Sequence, residues 1–176
     1  MMKNLFQILC GLFLVVSYSS CMHSEEDKVD VLIIGGGASG VTSGIQSARM
    51  GANTLILEES TWLGGMLTSA GVSAVDGNYR LPAGLWGEFK NRLSDYYGGL
   101  DSLKTGWVSN VLFEPSVGNK ILHEMVAAEN NLKVWKQACL EEVKRTGDEW
   151  VAKVKVEGQG VKTVRAKVMI DSTELG

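Results

Sequence analysis

The most constraining feature of this 176-residue chain is an apolar segment that runs directly into a cluster of glycines. Residues 29–34 (Val-Asp-Val-Leu-Ile-Ile) are rich in β-branched side chains, which predicts a strand buried on both faces of a parallel sheet. Residues 35–40 (Gly-Gly-Gly-Ala-Ser-Gly) follow and fit the pattern G-x-G-x-x-G. An amphipathic helix that stops at Gly51 comes next, and a second strand over 54–57 ends on Glu58. This order predicts a β–α–β unit with two parallel strands.

Each glycine of the motif has a separate physical task. Gly35 permits the sharp turn out of the strand, Gly37 leaves the backbone open to a close ligand, and Gly40 lets the helix lie against the sheet. The start of the helix offers unpaired N–H groups and the positive end of the helix dipole, which suit a pyrophosphate. Glu58 stands where a carboxylate accepts hydrogen bonds from an adenosine ribose, and its charge disfavours the 2′-phosphate of NADP. These features predict a dinucleotide site and leave FAD and NAD both open.

The chain beyond Glu58 differs from a plain nicotinamide-binding fold. Residues 62–68 (Trp-Leu-Gly-Gly-Met-Leu-Thr) place a second glycine pair soon after the predicted ribose carboxylate, where a further crossover helix is otherwise expected. Residues 132–135 predict a third strand. Alternating apolar and polar residues between glycine-bearing turns then predict a β-meander over 140–144, 150–156 and 161–168. The order of these segments favours FAD over NAD.

The N-terminus has the features of an export signal. Residues 1–20 combine an early lysine, an apolar stretch and small polar residues, and the apolar stretch is shorter than the roughly 20 residues that a membrane span needs. The small residues directly before Cys21 resemble a bacterial lipoprotein cleavage box, which predicts a lipid on Cys21. Ordinary cleavage nearby, without a lipid, stays open. Residues 21–28 are acidic and polar, which predicts a tether between the anchor and the domain.

Composition narrows the function classes further. The chain is 45% hydrophobic and 21% charged, which is typical of one globular domain rather than a disordered chain. Its 20 acidic residues outnumber its 17 basic ones, so no electrostatic footprint for nucleic acid is present. Cys139 is the one cysteine after Cys21, so an iron–sulfur cluster, which needs about four thiolates, is excluded. No metal site is expected, because no two histidines or cysteines share the spacing of metal ligands.

Three motifs together resemble a known family. They are Asp-Val-Leu-Ile-Ile-Gly-Gly-Gly-Ala-Ser-Gly at 30–40, Leu-Gly-Gly-Met at 63–66, and Ile-Asp-Ser-Thr-Glu-Leu-Gly at 170–176. The chain resembles the FAD-dependent oxidoreductases of the glutathione-reductase type, and within them the secreted bacterial group labelled xanthan-lyase-like. The resemblance covers residues 29–176 and implies a three-layer, Rossmann-like α/β fold with a parallel sheet, a crossover helix, a β-meander and a helical insertion over 69–131.

Family members of this kind are several hundred residues longer than the present chain. The resemblance therefore implies a domain that is incomplete at its C-terminus, with part of the flavin site missing. We accordingly expect weak or absent flavin in this chain alone.

The resemblance also implies which residues hold the phosphates of FAD. The resemblance assigns pyrophosphate binding to residues of the glycine motif, namely Gly35, Gly37, Ala38, Ser39 and Gly40. The family's chain returns to the phosphates at the positions of Thr173 and Glu174, where this sequence has Thr-Glu in place of the commoner Thr-Gly.

The adenosine and flavin ends fall to other parts of the chain. The resemblance implies that Glu58 binds the adenosine ribose and that the backbone of Leu140 meets the adenine. The path towards the flavin is lined by Gly64, Gly65 and Met66. No residue is assigned a catalytic role.

We expect an FAD-dependent oxidoreductase in which the flavin transfers hydride or electrons to or from an unknown small molecule. We expect it to be exported to the periplasm or cell surface and to touch the membrane only through Cys21. Two alternatives remain open from the residues alone: a lipid-anchored binding component without redox turnover, and an NAD-binding protein.

Overall fold

Six strands and three α-helices form the part of the chain that the structure describes, a computed structural model covering residues 26–77, 79–104, 107 and 109–174. The strands are β1 (Glu26–Ile34), β2 (Thr54–Glu58), β3 (Leu132–Lys136), β4 (Ala138–Thr146), β5 (Glu149–Val156) and β6 (Gly160–Asp171). The helices are α1 (Ala38–Arg49), α2 (Gly84–Tyr97) and α3 (Pro115–Ala127). The strands join in one sheet with the order β3-β2-β1-β6-β5-β4.

The sheet has a parallel half and an antiparallel half that share β6. β1 runs parallel to both β2 and β6, and β2 runs parallel to β3. β4, β5 and β6 form an antiparallel meander. The first part of β6 pairs with β5, and its last residues, Val168–Asp171, continue along β1 only. The predicted strands, the meander and the crossover helix are therefore confirmed.

Successive side chains of the central strands enter two separate cores. Ile33 and Ile56 are fully buried in the core shared with the helices, which we call the helix core. Leu32 and Leu55 are buried in the core shared with the inner face of β5 and β6, which we call the meander core. Because side chains alternate along a strand, an uninterrupted apolar run supplies both faces. The result is the predicted three-layer arrangement of helices, parallel sheet and meander.

The segment between β2 and β3 carries α2 and α3, which pack on the helix core. Glu114 is the N-cap of α3 and Pro115 takes the first helical position. Proline fits there because its fixed φ suits the helix and its missing N–H group has no intrahelical partner at that position.

One arginine joins α1 to the insertion. The guanidinium of Arg49 donates two hydrogen bonds to the carboxylate of Glu88, at 2.6 and 2.9 Å, and a third to Glu129 at 2.7 Å. These bonds raise the pKa of Arg49, and the bond from Arg49 lowers the pKa of Glu88. The crossover helix and the insertion are thus linked at their outer surface as well as through the helix core.

The first strand begins earlier than the sequence predicts. Residues 26–28 were assigned to the tether, yet they are part of β1 and pair with residues 163–165 of β6. Arg165 supports this pairing with a hydrogen bond of 2.6 Å to Glu26. The predicted signal peptide and Cys21 lie outside the described residues. Among the described helices, none is both long enough and apolar enough to cross a membrane.

Candidate functional site

A cleft of about 310 Å³ opens where β1, β2 and β6 end, at their carboxyl ends. Ligands of open α/β sheets bind at this edge, and this volume is at the lower end of the roughly 300–1,000 Å³ typical of ligand pockets. The residues lining the cleft are Ile34, Gly35, Gly37, Leu57, Glu58, Glu59, Ser60, Gly65, Ser69, Ala138, Leu140, Ser172, Thr173 and Glu174. They come from five separate parts of the chain, at 34–37, 57–60, 65–69, 138–140 and 172–174, which the fold brings together.

Two glycines of the first motif are required by packing. Gly35 has a φ of 97°, and a Cβ there would lie 2.7 Å from the carbonyl oxygen of Ser172. A Cβ on Gly40 would overlap the carbonyl oxygen of Gly35. These two positions therefore hold the turn and the close approach of α1 to the sheet.

Gly37 differs from both of them. Its φ of −64° is ordinary, and a Cβ there would meet one atom alone, Oε1 of Glu174, at 3.4 Å. No described part of the protein's own packing needs a glycine at this position. The absent side chain instead leaves the backbone open to the cleft, as close approach of a ligand requires.

The start of α1 presents backbone donors beside Gly37. No side chain among the described residues caps this helix end, and its first turn carries no acidic residue. Ala38 and Ser39 are exposed in that turn, and the first helical hydrogen bond runs from the amide of Val41 to the carbonyl of Gly37. The first N–H groups of α1 are therefore available to an anion, and the helix dipole adds positive potential there.

Glu58 is held in place by two backbone amides. Its Oε2 accepts a hydrogen bond from the amide of Gly36 at 2.8 Å, and its Oε1 accepts one from the amide of Ser60 at 2.7 Å. Each carboxylate oxygen has a further lone pair, which can accept from a ribose hydroxyl. Leu140 and Ala138, at the start of β4, line the same cleft.

The second glycine pair is joined to the first. The amide of Gly64 donates to the carbonyl of Gly36 at 2.8 Å, so the two glycine turns lie side by side. Gly64 and Gly65 have φ angles of 106° and 51°, which side-chain-bearing residues rarely adopt. The missing Cβ of Gly64 faces Leu122 of the insertion, whereas Gly65 lines the cleft.

The end of β6 closes the cleft from the other side. Asp171 accepts hydrogen bonds from the amide and the hydroxyl of Thr173, at 3.0 and 2.8 Å, and both bonds lower the pKa of Asp171. This turn carries Glu174 into the cleft, where its Oε1 accepts a hydrogen bond from the amide of Met66 at 3.3 Å.

The structure thus brings seven predicted residues to one cleft, namely Gly35, Gly37, Glu58, Gly65, Leu140, Thr173 and Glu174. The other five lie beside it, in the first turn of α1 or next to Gly65: Ala38, Ser39, Gly40, Gly64 and Met66. Seven further residues line the cleft that sequence reasoning did not assign to the site: Ile34, Leu57, Glu59, Ser60, Ser69, Ala138 and Ser172. All of them except Ser69 lie within two residues of a predicted position, which was the available signal.

The charge of the cleft is negative. Glu58, Glu59 and Glu174 line it, and no lysine or arginine is among its described lining residues. Backbone N–H groups and the dipole of α1 therefore supply the positive potential for an anionic ligand. The thiol of Cys139 lies near this edge, 3.4 Å from Oε1 of Glu59, and that contact raises its pKa.

These residues fit the adenosine diphosphate part of FAD. The backbone next to Gly37 is open where a Cβ would otherwise stand, and Gly37 is also the N-cap of α1, so the first N–H groups of the helix follow directly after it. Glu58 supplies a fixed acceptor for the ribose at the end of the neighbouring strand. An anion-binding turn and a ribose acceptor on adjacent parallel strands form the arrangement that binds dinucleotides.

Comparison with solved structures shows the same fold. AlpK aligns with a TM-score of 0.60 at 14% identity, over 82% of this chain and 31% of AlpK. A geranylgeranyl bacteriochlorophyll reductase-like protein from Thermoplasma acidophilum aligns with a TM-score of 0.57 at 19% identity, over 83% of this chain and 39% of that protein. The p-nitrophenol 4-monooxygenase PnpA from Pseudomonas putida DLL-E4 gives a TM-score of 0.51 at 14% identity, covering 82% and 41%. This chain therefore spans less than half the length of each of these proteins.

A family model described as FAD dependent oxidoreductase matches residues 30–176. No curated protein matches the sequence. The matched region holds both glycine turns, Glu58 and the end of β6. The chain therefore belongs to the FAD-dependent oxidoreductase family, and its cofactor is FAD.

Proposed function

We propose that residues 29–174 bind the adenosine diphosphate half of FAD and form the cofactor-binding part of an enzyme that oxidises or reduces a small molecule. The observation that carries the proposal is the cleft itself, which is lined by both the open backbone at Gly37 and the fixed carboxylate of Glu58. FAD supplies the hydride or electron transfer when it is bound. The protein's part at this end is to bind and orient.

Each group in the cleft has one task in this proposal. The first N–H groups of α1 donate to the pyrophosphate, since they have no side-chain partner among the described residues. Glu58 accepts from the ribose hydroxyls, and the amides of Gly36 and Ser60 keep its carboxylate turned into the cleft. Leu140 and Ala138 cover the adenine from the side of the meander. Gly65 and Met66 lie towards the flavin end.

Calorimetric titration of the full chain with ADP, adenosine and nicotinamide mononucleotide tests this proposal. ADP carries the whole of the recognised part, so it is expected to bind, whereas nicotinamide mononucleotide, which lacks adenosine, is not. Equal affinities for the two ligands, or no binding of ADP, would refute the assignment of the cleft.

A second measurement addresses turnover. The protein is loaded with FAD, and reduction of its visible flavin band is followed under dithionite and under candidate organic donors. Reduction by a small organic donor supports an oxidoreductase. FAD binding without reduction by any organic donor favours a binding component of the same fold.

We further propose that the protein belongs to the secreted, xanthan-lyase-like group of the family and is a periplasmic or cell-surface lipoprotein, anchored to the membrane by a lipid on Cys21. The support is in the sequence: an apolar leader, small residues directly before Cys21, and a polar stretch after it. Mass spectrometry of the membrane fraction tests the anchor. An acylated N-terminal Cys21 peptide supports it, and a protein that begins at Met1 contradicts export.

A further inference from the structure

One carboxylate oxygen lies in the cleft between the two glycine turns. Oε1 of Glu174 is 3.3 Å from the amide of Met66 and 3.4 Å from the position that a Cβ on Gly37 would take. A Cβ on Gly65 would overlap the same oxygen. The place next to Gly37 is where the pyrophosphate must approach the backbone, so this oxygen stands in the space that the phosphates need.

We propose that Glu174 is an internal anion that occupies the phosphate position of the free protein and is exchanged for the pyrophosphate when a dinucleotide binds. The inference rests on the proposed function, since it assumes that the cleft receives ADP or FAD. It makes Glu174 a residue that sets the affinity of the cleft for phosphorylated ligands, without contributing to the recognition of adenosine.

The charges of the cleft disfavour simultaneous binding of the Glu174 carboxylate and the pyrophosphate. No lysine or arginine is among the described residues lining the cleft, so no side-chain cation there separates the carboxylate from the phosphates. The carboxylate and the phosphates would both accept hydrogen bonds from backbone N–H groups in the same small space, beside Gly37 and Met66. Two like charges about 4 Å apart repel strongly enough, even at the dielectric constant of water, to change a dissociation constant by about fivefold, and by more at the lower effective dielectric constant near a protein surface.

The exchange needs only a side-chain movement. The backbone before Glu174 is fixed, because Asp171 binds the amide and hydroxyl of Thr173 and the amide of Ser172 continues the pairing of β6 with β1 through the carbonyl of Ile34. Glu174 itself is exposed. Its side chain can therefore rotate towards solvent while the turn that carries it stays in place.

The test compares Glu174→Gln with the wild-type chain in titrations with ADP and with adenosine. Removing the charge is expected to tighten ADP by about tenfold, or 1.4 kcal/mol, and to change adenosine by less than about twofold. Glu124→Gln is the matched control, because it removes the same charge from an exposed site on α3 that does not line the cleft. It is expected to leave both affinities unchanged.

A second readout follows the donor directly. In the wild-type chain the amide resonance of Met66 is expected to shift on addition of ADP and to stay in place on addition of adenosine. Equal ADP affinity in Glu174→Gln and wild type, or weaker ADP binding in the variant, would overturn the inference while ADP recognition itself stands. Absence of ADP binding in both proteins would instead reject the proposed function on which the inference rests.

Discussion

Two alanine substitutions three residues apart separate ligand binding from folding. Gly37→Ala places a methyl group where the structure has open space, with one neighbouring atom at 3.4 Å and a φ of −64° that alanine adopts without strain. Gly40→Ala places the same methyl group into the carbonyl oxygen of Gly35. The first change is expected to weaken ADP binding and keep the fold, and the second to weaken the fold.

The expected stability effects follow from these contacts. At Gly37, alanine is a poorer N-cap than glycine, while the loss of backbone freedom in the unfolded chain stabilises the variant by about 0.4–1 kcal/mol. The two effects offset each other, so the free energy of unfolding changes by less than about 1 kcal/mol. At Gly40 the helix must move away from the strand, and overpacking of this kind costs about 1–3 kcal/mol. The melting temperature of Gly40→Ala is then lower by roughly 2–12 °C, at about 2–4 °C per kcal/mol.

Gly37→Ala, which changes stability less than Gly40→Ala, is expected to change the affinity for ADP more. A methyl group at Gly37 holds the pyrophosphate away from the N–H groups of α1 and removes at least one charge-assisted hydrogen bond, worth about 1.5–3 kcal/mol. ADP is therefore expected to bind at least tenfold more weakly to Gly37→Ala than to the wild-type chain. Adenosine, which has no phosphate, is expected to bind both proteins alike.

Calorimetric titration with ADP and thermal unfolding followed by circular dichroism are measured on both variants. If Gly37→Ala binds ADP as tightly as the wild-type chain, the open backbone at that position is not a phosphate site. If Gly40→Ala is as stable as the wild type, α1 does not need the close approach to the turn that glycine permits at this position.

Three further changes test other contacts. Glu58→Gln puts an NH₂ group in place of one carboxylate oxygen that accepts a hydrogen bond from a backbone amide. Calorimetry is therefore expected to show about tenfold weaker binding of both ADP and adenosine. Unchanged affinities would show that Glu58 does not bind the ribose. Glu59→Gln removes the carboxylate whose contact raises the pKa of Cys139. The rate of alkylation of Cys139 by iodoacetamide is measured against pH, and the midpoint of this profile is expected to move to lower pH. An unmoved midpoint argues against the contact. Arg49→Met removes the ion pair that lowers the pKa of Glu88, and the free energy of unfolding is expected to fall by about 0.5–1 kcal/mol. This loss is expected to be present above pH 4.5 and to shrink as the pH falls through the lowered pKa of Glu88. A difference in melting temperature that does not depend on pH contradicts this.

The parallel strands and the glycine turn could be predicted because their signals are local. The apolar run before Gly35 predicts a doubly buried strand, and the spacing to Glu58 predicts the ribose acceptor. The early start of β1 could not be predicted in this way. Glu26 belongs to the sheet because β6 pairs with it and Arg165 binds it, and both partners lie more than 130 residues further along the chain.

The orientation of the second glycine pair was hidden for a similar reason. Gly64 faces Leu122, and the amide of Leu63 donates to the side chain of Asn119, so the insertion fixes a turn that the sequence shows only as a glycine pair. The place of Glu174 inside the cleft depends on the turn that Asp171 and Thr173 form at the end of β6. Contacts between distant segments decide these details, and a pattern of neighbouring residues does not contain them.

The two separate cores have a consequence for how damage to the protein spreads. Ala138, which we propose to contact the adenine, is buried in the meander core, whereas Val41 and Ile45 are buried in the helix core and hold α1, which we propose to bind the phosphates. A destabilising change in one core is therefore expected to loosen one end of the nucleotide and spare the other. Temperature-sensitive variants of this protein should fall into two phenotypic groups, which a set of truncated adenine nucleotides can tell apart.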